Sequence, residues 1–209
     1  STVTEESSPV IHIETQHEET AVETHDVPYE LLSDRQFAFG HYPQKRIASR
    51  DVEGFFAQFS KPTASENNGW SVLFVNRKGL PYTWYRDEEF EGKKYRAVYF
   101  TKFREAYSVQ ETNISIKMQK SHGYMPMRIY CFQFEPLIWD VEDMSSNNAV
   151  LVATQGVDSR EYNDSELDNE WEHSTVRNWL NHDFMDTAFI EEERKYLCSV
   201  EGQSSDKIF

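Results

Sequence analysis

Acids, histidines and thiols are the residues of this chain whose types and spacing could do chemistry. Asp164, Glu166 and Asp168 alternate within the oxygen-rich stretch from Asp158 to Glu170, as calcium-binding loops begin. The turn glycine and bidentate glutamate of an EF-hand are absent, so these are calcium candidates outside that motif, set against a solvated acidic loop. The seven histidines are His12, His17, His25, His41, His122, His173 and His182. His12 and His17 with Glu14 and Glu18 could take a transition metal, but on a segment with no rigid frame to fix the geometry. His173 and His182 are nine residues apart, about two and a half helical turns, which puts them at opposite ends of a helix and not on one ligand face. Cys131 and Cys198 lack CxxC spacing and lie beside Tyr130, Phe132, Leu197 and Val200, the setting of buried, unbridged thiols. No G-x-S-x-G occurs and no Cys–His pair is poised for nucleophilic work. No catalytic residue and no cofactor is assigned, and calcium is the ion that the acidic loop would take.

These groups sit in a 209-residue chain whose 36 Asp and Glu outnumber 21 Lys and Arg, for a net charge of −15. Such an excess repels nucleic acid and anionic lipid, so neither is expected as a partner. No apolar run approaches the roughly 18 residues of a membrane span, so no membrane insertion is expected. The charge is uneven: residues 1–30 carry eight acids and no Lys or Arg. With one aromatic, Tyr29, that segment reads as a disordered acidic leader or linker, because it has little surface to bury against its ordering entropy. The stretch Val10, Ile11, His12, Ile13 is the exception, alternating enough to add an edge strand.

From Leu31 the texture becomes core-forming. Val52, Phe55, Phe56 and Phe59 fall at i, i+3, i+4 and i+7 of a short amphipathic helix. Trp70 to Val75 and Tyr82 to Tyr85 read as strands around the turn Asn76 to Gly79. Tyr95, Ala97 and Tyr99 alternate with Arg96, Val98 and Phe100, the pattern of a strand with two faces. A long polar excursion comes next, from Glu105 to Gly123. Arg128 to Phe134 is the next strand, expected to stop at Pro136, and residues 137–141 and 149–153 form a hairpin.

Helical signals take over after Trp171. Ser174 is a suitable N-cap, and Val176, Trp179, Leu180 and Phe184 then form one apolar stripe. Arg177 and Asn181 lie four apart on a neighbouring face, and Asn181 is placed to end this helix in a left-handed conformation.

Here the residues carry a resemblance. Trp171, Ser174, Val176, Arg177, Trp179, Leu180 and Asn181 spell W-x-x-S-x-V-R-x-W-L-N, which resembles the signature of a bacterial family of unknown function. Phe184, Ala188, Phe189 and the acids Glu191 to Glu193 resemble its continuation. Phe39-Gly40-His41-Tyr42-Pro43-Gln44 resembles its opening F-G-x-Y-P-Q, Gly92 to Arg96 its G-x-K-Y stretch, and Phe134 to Trp139 its F-x-E-P-I-x-W strand. The resemblance implies an α+β, C-type-lectin-like domain over residues 31–209, akin to formylglycine-generating enzymes and retroelement variable proteins. That fold has two or three short helices, twisted antiparallel strands and a large loop-built face. Family members normally continue past a strand like Asp206 to Phe209, so the expectation is a domain lacking its C-terminal part, truncated or completed by a second chain.

The function expected is a non-enzymatic recognition or structural module of a bacterial surface or secreted protein. It would bind protein or glycan through loops around Lys102 to Met125 and Asp158 to Asn169, placing it extracellularly or at the cell surface. Trp84, Tyr107, Tyr124 and Tyr162 are the ligand-binding candidates, and Trp139, Trp171, Ser174, Arg177, Trp179 and Asn181 the structural signature. The alternatives are a formylglycine-generating-type or metal-dependent enzyme, and a subunit of a larger assembly.

Overall fold

The computed structural model describes residues 10–12, 29–76, 78–103, 116–145, 148–158, 160, 162–163 and 170–198. The strands are β1 (Val10–His12), β2 (Tyr29–Ser33), β3 (Gln36–Ile47), β4 (Ser71–Val75), β5 (Pro81–Phe90), β6 (Lys93–Phe100), β7 (Ile129–Met144), β8 (Asn148–Ala153) and β9 (Leu197–Cys198). The α-helices are short: α1 (Arg50–Ala57), α2 (Ile116–Ser121), α3 (Thr175–Trp179), α4 (Met185–Ala188) and α5 (Glu191–Arg194). The architecture is mixed α/β, with antiparallel strand pairs and a few short helices. Most of the expected acidic leader lies outside the described residues.

The chain divides into two compact units. A central unit takes Tyr42–Glu135 and Val157–Ser159, and a terminal unit takes Ser1–His41, Pro136–Gly156 and Arg160–Phe209. β3 and β7 are long enough to contribute to both.

In the central unit the strands run in the order β4, β5, β6, β7. Tyr85 faces Val98 and Trp84 faces Tyr99 across the β5–β6 ladder, and Val98 in turn faces Tyr130 of β7. Because side chains alternate with period two, this register sorts the aromatics onto opposite faces. One face gathers Trp84, Tyr95, Ala97, Tyr99 and Cys131 against Val52 and Phe56 of α1 and against Trp70. The other gathers Val98, Phe100, Tyr130 and Phe132 with Tyr124. The hairpin between β5 and β6 turns on Glu91 and Gly92, both at positive φ, as a two-residue turn of matching twist requires. α1 starts where Ser49 accepts from the Val52 amide, with Asp51 and Glu53 in the dipole's positive first turn.

In the terminal unit the second half of β7 pairs with β8, and β8, β1 and β9 are neighbours in that order, while β2 pairs with β3. Val10–His12 is therefore not an edge: it pairs with Asn148 to Val150 on one side and Leu197 to Cys198 on the other. Pro136 does not stop its strand as expected. β6 pairs with β7 over 129–133 and β8 over 139–144, so the exposed Pro136 falls in the gap between those two ladders, in a strand that β3 also pairs with.

Phe189 is a meeting point of the rings in the core of this unit. It lies 5.1 Å from Phe39, 6.4 Å from Trp139 and 5.9 Å from Phe184 between ring centroids. Trp139 is buried and its indole N–H donates to the Phe39 carbonyl at 2.7 Å. Gly40, at φ +73°, passes so close that a Cβ there would meet the Phe189 ring at 2.5 Å, which explains the glycine in the F-G-x-Y-P-Q string. Glu193, also buried, accepts from the Ile190 amide at 2.8 Å and from the Gly40 amide at 3.2 Å, tying the first turn of α5 to β3.

Candidate functional site

Four neighbouring hydrogen bonds build the most distinctive surface of the terminal unit. A helix start leaves its first amides without intrahelical acceptors. At α3 the Ser174 hydroxyl accepts from the Arg177 amide at 3.2 Å and donates to the Trp171 carbonyl at 2.9 Å. The Val176 amide donates to the Tyr162 carbonyl at 3.2 Å, and the Thr175 amide to the Asn163 side-chain oxygen at 3.0 Å. The loop bearing Tyr162 and Asn163 is thus stitched to the first turn of the helix. Ser174 caps it as expected, and Asn163 is a partner that spacing along the chain did not reveal.

This stitching presents an aromatic and guanidinium surface. Tyr162 is 42% exposed and lies 6.3 Å from the half-buried Trp171 between ring centroids. Beneath it the buried Arg177 guanidinium lies 6.0 Å from the Trp171 ring, and that of the half-buried Arg160 lies 4.6 Å from Trp179. The Trp171 indole N–H is sealed from solvent and has no acceptor among the described residues. Trp179, half-buried, touches Phe184 at 5.5 Å, and Phe184 packs on Phe189. The apolar stripe of the helix therefore reaches the ring cluster that contains Trp139. Packing holds Trp179 from beneath and Tyr162 faces outward, while Arg160 is half-buried with its Nε sealed from solvent.

Asn181 does not end the helix. Its side-chain amide donates to the Arg177 carbonyl at 2.9 Å, and the chain continues through a π-helical turn, Leu180–Phe184, into α4. The residues around this turn keep right-handed φ and ψ, so the left-handed cap expected at Asn181 is corrected. An asparagine that satisfies a carbonyl one turn back has no need to leave the helix.

The other candidates lie elsewhere. Trp84 is fully buried in the central unit, its indole N–H donating to the Asn67 side-chain oxygen at 2.9 Å, so no ligand can stack on it. Tyr124 is buried too, edge-on to Tyr130 at 4.9 Å with the Arg46 guanidinium 4.3 Å from its ring. Both were expected at the surface; instead their rings fill the two faces of the sheet, the usual fate of strand and loop aromatics with so much area to hide. Tyr107 and the calcium candidates Asp164, Glu166 and Asp168 fall outside the described residues. Among the described residues no three His, Cys, Asp or Glu side chains come together as metal ligands.

The thiols are a poor basis for nucleophilic chemistry. Cys131 is 1% exposed in the central core, and burial, with a smaller contribution from the charge of Glu53, pushes its pKa up to about 12. Cys198, half-buried on β9, is also raised by burial.

The central unit holds a polar feature that the spacing of its residues did not single out. Arg96, 2% exposed, makes a two-pronged ion pair with Asp87 at 2.7 Å for each bond and stacks 4.0 Å from the Tyr85 ring. Burial works against its charge, but the Asp87 hydrogen bonds and charge prevail and hold Arg96 above its ordinary value. The register places Arg96 opposite Asp87 on β5, and the cross-strand charge pair was the available signal.

Comparison with known proteins adds one finding. A family described as Domain of unknown function (DUF6273) matches residues 146–207, less than a third of the chain. That stretch contains Tyr162, Asn163 and the whole run from Trp171 to Phe189. No curated protein and no solved structure matches.

Proposed function

We propose that this protein is a recognition module of a bacterial surface or secreted protein, binding protein or glycan through the Tyr162 face. The observation that carries this reading is the side-by-side arrangement of Tyr162 with Trp171 and of Arg160 with Trp179. Aromatic rings and guanidinium groups are the side chains enriched where binding energy concentrates. Here they are preorganised, because the loop is bonded to a helix start and Trp179 is packed from beneath. Preorganisation matters because ordering of side chains on binding is a cost that a fixed surface avoids. The C-type-lectin-like reading of the fold is supported by the antiparallel strands, the short helices and the W-x-x-S-x-V-R-x-W-L-N string, and such a fold presents its ligand site on loops. The high pKa of Cys131 favours binding over thiol chemistry.

The test is a glycan array run beside a panel of immobilised extracellular bacterial proteins, probed with the wild type and with Tyr162→Ala and Arg160→Ala. A ligand whose affinity falls about tenfold or more in both variants supports the reading, the size expected for anchor residues. A bound ligand indifferent to both substitutions overturns it. Circular dichroism of the variants guards against misreading an unfolded protein.

A further inference from the structure

We propose that the outer edge of β4, in the central unit, is a second recognition surface that accepts an acidic, extended polypeptide strand from a partner protein. β4 begins the strand order and is paired with β5 on one side; among the described residues no strand covers its other side. An edge of this kind offers backbone amides and carbonyls to an added strand, and proteins commonly blunt it with charge or proline in the strand. β4 carries neither: its residues are Ser71, Val72, Leu73, Phe74 and Val75. Val72, Val75 and the adjacent Leu80 are exposed, at 40%, 52% and 49%.

Charge selects the occupant. From Asn67 to Arg86 there are twenty consecutive residues without one Asp or Glu, in a chain with 36 of them. The same stretch contains Arg77, Lys78 and Arg86, of which Arg86 is already held by Glu88 at 2.6 Å, leaving Arg77 and Lys78 as the cations that follow β4 in the chain. Lys102 adds a further cation beside it, its ammonium 4.4 Å from the ring of Tyr82 on β5. The edge is thus apolar along the strand and cationic at its margin, complementary to an extended segment that alternates acidic and apolar residues. A second copy of β4 is the poorer partner, because it brings no acid in residues 71–80 to meet Lys78.

The probe is a twelve-residue synthetic peptide alternating Glu and Val, added to the full chain. The peptide should protect the amides of residues 71–75 from hydrogen exchange. Three comparisons decide the matter. A Lys and Val peptide of the same pattern should bind at least about tenfold more weakly, since like charges face each other. N-methylation of alternate peptide amides should cost about tenfold or more, because each lost backbone bond contributes roughly 0.5–1.5 kcal/mol, up to about a factor of ten. Lys78→Glu, in an exposed turn, should weaken binding up to about fivefold, the range of an exposed charge pair. Equal binding of the Lys peptide or of the N-methylated peptide overturns the proposal, as does protection that maps away from residues 71–75. So does an absence of binding at millimolar peptide. Tyr162→Ala should leave this binding unchanged, which keeps the outcome separate from that of the Tyr162 face.

Discussion

The two units are built from the same chain on different terms. The central unit holds 15 Lys and Arg against 11 Asp and Glu; the terminal unit holds 6 against 25. In the central unit a meander of strands buries aromatics on both faces, and cations lie over rings, as Arg96 does over Tyr85 and Lys94 over Phe134. In the terminal unit packing converges on Phe189, and its fit depends on single residues far apart in sequence: Gly40, Trp139 and Glu193. The difference teaches that one unit is specified by a repeating pattern and the other by a few positions. A pattern survives the loss of a member better than a convergence point survives the loss of its centre.

The largest expected effects test that contrast directly. Phe56→Ala in the central unit and Phe189→Ala in the terminal unit each empty a buried ring site, at a cost of about 3–5 kcal/mol in denaturant unfolding. Phe189→Ala should lie at the upper end, because three rings lose their partner, and near-equal values would erase the contrast. Arg96→Met should cost about 2–4 kcal/mol, somewhat under the figure for a fully buried pair because Asp87 keeps contact with water. Arg96→Lys should restore only part of this, since an ammonium cannot make the two-pronged bond.

Gly40→Ala should cost about 2–3 kcal/mol, by combining a left-handed backbone with a clash against Phe189. Hydrogen exchange at β3 and the first turn of α5 would report it.

The thiol prediction concerns pH. Cys131 holds its proton in the folded state up to about pH 12, whereas an unfolded thiol loses it near pH 9. Its contribution is complete below the unfolded value and is lost as pH rises from about 9 towards 12, with a slope of up to about 1.4 kcal/mol per pH unit. Cys131→Ala should flatten that part of the stability profile. The smallest effect is Ser174→Ala, about 1 kcal/mol from the lost cap, seen as a lower midpoint of thermal unfolding.

The legibility of the sequence divides along the same line. Alternation in Lys93–Phe100 and the i, i+3, i+4 spacing of Val52, Phe55 and Phe56 predicted β6 and α1, because periodicity is a local property. The same alternation could not say that Trp84 is covered, since which face meets a helix depends on residues elsewhere in the chain. Ser174 was readable as a cap, but not the loop that serves the next two amides. That loop reaches the helix through Asn163, twelve residues before Thr175, and nothing in its spacing marks it. Pro136 misled for a related reason: a proline breaks a ladder only where an amide is needed, and that depends on where the neighbouring strands end.

The π-helical turn at Leu180–Phe184 has a consequence for how this segment tolerates change. A turn of this kind wraps one residue more than an α-helical turn would, so the helix beyond it keeps nearly the phase it would have without that residue. Deleting one residue there would let the helix run regular and leave Met185 and Ala188 facing inward, as both now do. Adding one more residue has no second turn to take it up and would swing them by about 100° around the axis, turning that buried face outward as a block.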